Sequence, residues 1–235
     1  MSAGIPPFSF ARRARRRGQV PRGLRYNRRM EFDPGCRRCP RLRHHLARLR
    51  AQYPDYHNGP VPSFGDADAP LLIVGLAPGL HGANASGRVF TGDRSGDLLF
   101  ATLYRFGFCD RPVSRAIDDG MRLSRCRITN AVRCVPPGNR PNATELRRCG
   151  EYLRTELVTG MPRVIVALGR VAHDSVLRAL RLPLAAHRFA HLAEHRLEHG
   201  GILLDSYHCS RYNVQTGRLT PVMFEQVFHR ARALL

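Results

Sequence analysis

Short, unbroken apolar runs alternate along this chain with longer stretches in which apolar residues recur every three or four positions. Leu71-Leu72-Ile73-Val74-Gly75 is the first such run, and its lack of polar interruption predicts a strand buried on both faces. It opens into Ala77-Pro78-Gly79, a loop. Ile128 to Val132 predicts a second buried strand and Arg163 to Gly169 a third; Ile202-Leu203-Leu204 predicts a fourth, ending at Ser206-Tyr207-His208. Helical patterns cover residues 95–107, residues 143–158, the stretch from Gly169 to about Leu180, and the stretch from Pro221 to the end, where Thr220 is placed to cap. Leu42, Leu46 and Leu49 also have helical spacing, and Pro54, Pro60, Pro62 and Gly65 mark the turns that follow. Strands separated by helices pair in parallel. The expected fold is therefore α/β, a three-layer α/β/α sandwich around a central, mostly parallel four-stranded sheet. Sites in such sheets gather beyond the carboxyl ends of strands. The segments rich in Gly, Pro, Asn and His directly follow strands one, two and four.

Composition adds a partner. The 235 residues carry 38 basic side chains against 18 acidic ones, a net charge of +20, and every one of those bases is Arg. A field of that sign draws polyanions, so nucleic acid is the expected partner, with an acidic membrane surface second. Residues 1–30 hold Arg12, Arg13, Arg15, Arg16 and Arg17 and continue to Arg25, Arg28 and Arg29, with Pro6, Pro7 and Pro21 interspersed. That pattern predicts a disordered basic arm, either a solvated tail or a non-specific phosphate binder, ahead of a single domain over residues 31–235. No apolar stretch approaches the roughly 20 residues that span a bilayer, and no apolar segment follows the basic start. A cytoplasmic monomer without a membrane partner, associated with the bacterial nucleoid through DNA binding, is the expectation.

Seven Cys is an odd count. Cys36-Arg37-Arg38-Cys39 is a C-x2-C pair that places two sulfurs around one metal centre, and Cys134 and Cys149 form a second, wider pair. Four thiolates suit either structural zinc or a [4Fe–4S] cluster, and spacing alone does not separate the two. Cys109 and Cys126 read as small buried apolar residues.

Three segments, in order, resemble the iron–sulfur uracil-DNA glycosylases, families 4 and 5 of that superfamily. They are Gly75-Leu76-Ala77-Pro78-Gly79 with Gly87-Arg88-Val89-Phe90-Thr91-Gly92-Asp93; Thr129-Asn130-Ala131-Val132-Arg133-Cys134-Val135-Pro136-Pro137-Gly138-Asn139; and Ser206-Tyr207-His208-Cys209-Ser210-Arg211. Family 4 carries Glu where this chain has Leu76. The apolar residue there, the stretch His81 to Arg88 and the tail Asn213 to Leu219 resemble family 5, the type-b enzymes. The resemblance implies a uracil-DNA glycosylase-like fold and a base-excision DNA-repair enzyme that hydrolyses the N-glycosidic bond of uracil in DNA. It also implies a [4Fe–4S] cluster on Cys36, Cys39, Cys134 and Cys149. Without a carboxylate at Leu76, it suggests a wider base range that includes hypoxanthine, or thymine opposite guanine.

The chemistry sets tasks for particular residues. The nucleotide must be swung out of the duplex, and the departing base leaves as an anion from an oxocarbenium-like sugar. Phe90 is the expected stacking face for the base, or else a core residue. His208 is placed to donate to the departing base. Asp93 either orients water and stabilises the sugar cation or caps a helix beginning near Ser95. Asn139 resembles an active-site residue of the family, and Asn130 stands where family 4 has its uracil-reading Asn; either is otherwise a loop Asn bonding backbone. Gly75, Leu76, Ala77 and Gly79 bring backbone close to the base. Arg211 and Arg218 belong to a segment expected to probe the minor groove. Two other classes compete: a non-catalytic nucleic-acid-binding protein stapled by its metal, and an enzyme acting on free nucleotides.

Overall fold

All five residues of Leu71–Gly75 are buried, as expected for a strand covered on both faces. The computed structural model describes residues 32–198 and 200–235; the basic arm lies outside them. In chain order the elements are α1 (Pro40–Gln52), β1 (Phe64–Gly65), β2 (Leu71–Gly75), α2 (Ala83–Ser86), α3 (Arg94–Arg105), β3 (Cys126–Asn130), α4 (Ala143–Gly160), β4 (Val164–Leu168), α5 (Arg170–Leu180), β5 (Glu194–Arg196), β6 (Ile202–Ser206), α6 (Arg211–Gln215) and α7 (Pro221–Leu234).

The strands form one mixed sheet in the order β1-β3-β2-β4-β6-β5. The middle four are parallel, and β1 and β5 add antiparallel edges. The pattern anticipates the central four and misses both edges. β1 is two residues long and β5 is the polar triplet Glu194-His195-Arg196, so neither presents an apolar run. Short, charged edges also discourage pairing with another chain.

Alternation along the strands sorts side chains into two cores. Leu71, Ile73, Ile128, Val164, Val166 and Leu204 face α3 and α7, against Leu99, Phe100, Phe224 and Phe228. Leu72, Val74, Ile165, Ala167 and Leu203 face α4 and α5, against Leu153, Leu157, Val176 and Leu177. Burying each such Leu, Ile, Val or Phe contributes about 1.5–3 kcal/mol, which is what holds the three layers together. A third, smaller core joins α1 to α4 through Leu42, Leu46, Leu49, Val132, Val135 and Tyr152, with Cys134 and Cys149 inside it.

Helix ends follow local chemistry. Thr220 accepts from the Met223 N–H at α7, as the sequence predicts, and Asn142 and Glu145 form a reciprocal capping box at α4 that the sequence reading does not single out. Register aligns the carboxyl ends: Gly75 pairs with Asn130, and Leu168 with Ser206. The loops leaving β2, β3, β4 and β6 thus emerge side by side along one edge of the sheet.

Candidate active site

Along that edge lies a cleft of about 490 Å³. Its lining includes Leu76, Ala77 and Gly79 after β2, Phe90 and Asp93 before α3, Asn130 at the end of β3, Asn139, and His208 after β6. Arg218 stands at its rim. Of the residues singled out from sequence, the structure brings these nine together. Gly75 lies beneath them. Arg211 is exposed on α6 and does not line the cleft, although Arg218 does, with its guanidinium 4.9 Å from the centre of the Tyr207 ring.

Gly75 permits the floor to close. A Cβ there would lie 2.4 Å from Asn130 Oδ1 and 2.7 Å from the Phe90 ring, so only a residue without one admits both side chains over the strand end. Phe90 itself has φ 54°, a left-handed backbone that costs energy in any non-glycine residue. The first turn of α3 abuts it: a Cβ on Gly96 would sit 1.7 Å from the Phe90 carbonyl oxygen. The ring is 7% exposed and lies over the His208 ring, with centroids 6.2 Å apart and planes 26° apart.

Two polar atoms at this floor lack partners among the described residues. Asn130 Oδ1 and His208 Nδ1 are both buried and bond to nothing. Buried polar groups are nearly always satisfied, and here the two unpartnered atoms both face a cleft in which a ligand, water or ion can supply the missing bond. Burial pushes the His208 imidazole down to about 4, so the ring is neutral near pH 7. The Asn213 side chain donates to the His208 carbonyl at 2.8 Å and anchors the loop.

Asp93 lies between helix and cleft. It caps α3 by accepting from the Gly96 N–H at 3.0 Å, and it also lines the cleft. Burial raises its carboxyl, and bonds from the Gly96 and Ser95 backbones oppose the rise. Asn139 is exposed, at the end of a single 3-10 turn over Pro137–Asn139, with φ 55°. Phe189, Tyr207 and Arg170 also line the cleft and escape sequence reasoning. Tyr207 sits inside the third motif. Phe189 lies in the irregular stretch before β5, where no period marks it.

Cys36, Cys39, Cys134 and Cys149 line one smaller cavity of about 150 Å³, together with Arg37, Arg43, Arg50 and Arg133. The Arg133 N–H donates to Cys149 Sγ at 3.2 Å. Burial, then crowding by Cys149, Cys36 and Cys39, raises the Cys134 thiol, a penalty that a cationic centre reverses. Zn–S bonds of about 2.3 Å would hold tetrahedral sulfurs roughly 3.8 Å apart. Among the described residues no three of these sulfurs lie within 4.8 Å of one another. The donor set fits a larger centre better than a single ion. Cys109 and Cys126 are buried in the main core, apart from this group.

The family model of the uracil DNA glycosylase superfamily matches residues 62–232. A type-5 uracil-DNA glycosylase of Mycobacterium leprae is 46% identical over 213 residues, covering 85% of this chain and 91% of that one. Its counterpart in Thermus thermophilus is 46% identical over 205 residues, with 85% and 93% covered. The chain belongs to the type-5 branch of the uracil-DNA glycosylase superfamily. A type-4 uracil-DNA glycosylase of Archaeoglobus fulgidus is 33% identical over a shorter 138 residues, 58% of this chain and 56% of that one. The difference between the types agrees with the apolar Leu76. The superfamily match takes in every residue that lines the cleft, together with Cys134 and Cys149; α1 and the Cys36–Cys39 pair precede it. Among the described residues no helix is long and apolar enough to cross a membrane.

Proposed function

We propose that the protein is a DNA-repair glycosylase that hydrolyses the N-glycosidic bond of uracil in DNA and leaves an abasic site. The observation that carries this reading is the cleft floor, where an aromatic ring, an unpartnered amide oxygen and an unpartnered neutral imidazole stand together. A pyrimidine swung out of the duplex stacks on Phe90, worth about 1–3 kcal/mol. Asn130 Oδ1, an acceptor in need of a donor, takes the N3–H of the base. His208 donates to the departing base as negative charge gathers on it, and its neutrality suits this role because no proton has to be removed first.

Asp93 and Asn139 hold water near the sugar, and the Asp93 carboxylate stabilises positive charge there. With Leu76 apolar, Asp93 is the carboxylate in the cleft lining, and the lack of a second carboxylate there supports a wider range that includes hypoxanthine and thymine opposite guanine. Arg218 on its Tyr207 platform, Arg211 on α6 and the net charge of +20 serve DNA binding. Cys36, Cys39, Cys134 and Cys149 would hold a [4Fe–4S] cluster, which ties the segment before α1 to α4 and supplies no electron to the reaction.

A uracil-containing oligonucleotide incubated with cluster-loaded protein and then treated with alkali should break at the uracil. An intact strand removes the glycosylase reading and leaves a non-catalytic nucleic-acid binder. A panel carrying hypoxanthine and a thymine·guanine pair tests the wider range.

Asp93→Asn separates chemistry from capping, because Asn caps as well as Asp. The variant should keep its melting temperature within a few degrees while excision slows by about 100-fold. Full rate with lowered stability would make Asp93 a cap alone.

Acidity provides another check. A His held below its ordinary 6.5 stabilises the fold fully above that pH, and the contribution is lost as pH falls toward 4. The excision rate should therefore show no His208 inflection between about pH 5 and 8. An inflection near 6.5 that vanishes in His208→Gln would show the imidazole to be ordinary.

A further inference from the structure

Where α5 meets the β6–β5 edge of the sheet, three metal-binding side chains from three elements converge outside the lining of the cleft. His173 on α5 and Asp205 on β6 are 1% and 0% exposed, and His195 on β5 is 12% exposed. Their ligand atoms all lie within 4.8 Å of one another. We propose that His173, His195 and Asp205 form a second metal site that takes one divalent ion of the zinc class, independent of the four cysteines.

The hydrogen-bonding pattern calls for a cation. His173 Nε2 faces the His187 carbonyl at 2.9 Å, and a carbonyl only accepts, so Nε2 carries the ring proton. In the neutral ring the lone pair is then on Nδ1, which points at Asp205 Oδ1 from 2.8 Å. Two acceptors face each other in a buried place, and something positive belongs between them. One extra proton would satisfy that pair. A metal ion would satisfy it as well and would also engage His195, whose Nε2 lies 3.1 Å from the other carboxylate oxygen and completes a convergent set of three.

Zinc bonds of about 2.0–2.2 Å to nitrogen and oxygen hold tetrahedral ligands roughly 3.4 Å apart. His173 Nδ1 and His195 Nε2 lie 2.8 and 3.1 Å from the two Asp205 oxygens, so the side chains would spread to admit an ion. The His187 carbonyl then plays the outer part usual for a metal-bound imidazole, orienting the ring and fixing its tautomer. Two imidazoles and a carboxylate select zinc-class ions over calcium or magnesium.

Such an ion would fasten the three-residue edge strand β5 to the centre of the sheet. It would also steady the preceding segment, whose Phe189 meets the His173 ring edge-on at 5.6 Å and lines the cleft. The site therefore acts as a clamp behind one wall of that cleft.

The probe is Co2+, titrated into cluster-loaded protein with iron content followed throughout. The expected result is one Co2+ per chain, displaced by Zn2+, with the visible bands of nitrogen and oxygen coordination and no thiolate charge-transfer band. His195→Gln keeps a donor toward Asp205 and should lose affinity by more than the roughly 10- to 100-fold that removal of an outer partner brings, with iron unchanged. Lack of uptake by the wild-type protein, a thiolate band, or an unchanged affinity in His195→Gln would each overturn the site. The wild-type spectrum decides the question even where the variant folds poorly.

Discussion

His208→Ala is expected to slow uracil release by about 100- to 1,000-fold, the cost of removing one preorganised donor to a developing anion. DNA affinity should change only a few-fold, because the lost interaction strengthens as the base departs and is weak before that. The comparison that checks this is a single-turnover excision rate beside binding to a duplex carrying an uncleavable uracil analogue. Equal losses in both would make His208 a binding residue. The variant also tests the orphan Nδ1: if that atom awaits a substrate bond, deleting it removes an unsatisfied buried group, and melting temperature should not fall by the amount expected for a satisfied core side chain.

The second large effect is on the fold. Cys149→Ser should lose the iron and destabilise the protein, since a structural metal contributes folding free energy directly. Cys149 is buried on α4, inside the small core where α1 packs through Leu42, Leu46 and Leu49. Without its sulfur the pair on Cys36 and Cys39 has no anchor on α4. A loss of about 4 kcal/mol would lower the melting temperature by roughly 8–16 °C in a chain of this size. Iron analysis and thermal unfolding check it together. A Cys149→Ser protein that keeps full iron and stability would remove Cys149 from the ligand set.

The parts of the fold legible in the sequence were those in which one physical term dominates. β2 and β4 are continuous apolar runs because both faces are covered, and β6 begins as one before Asp205 and Ser206. The second strand was expected at Ile128–Val132 and lies at Cys126–Asn130, since Cys and Arg at its start hide the beginning of the run. β1 and β5 were invisible because edge strands take their order from a neighbour's backbone. The turn of helix at α6, begun by a Ser210 cap, leaves no pattern in the sequence because five residues carry no period. In the cleft, motif order brought out Phe90, Asn130, Asn139 and His208. Phe189 required the tertiary path of an aperiodic segment, and the grouping of His173, His195 and Asp205 required the sheet order that sets β5 beside β6.

The backbone of Phe90 has a consequence for fidelity. A ring carried on a left-handed residue with a helix turn pressed against its carbonyl cannot yield by small degrees. For the backbone beneath it to shift, Phe90 must leave that left-handed well against the first turn of α3. On the proposed reading of Phe90 as the stacking face, a poorly seated nucleotide would meet a shelf whose backbone is fixed, and discrimination between bases would fall to fit against that shape.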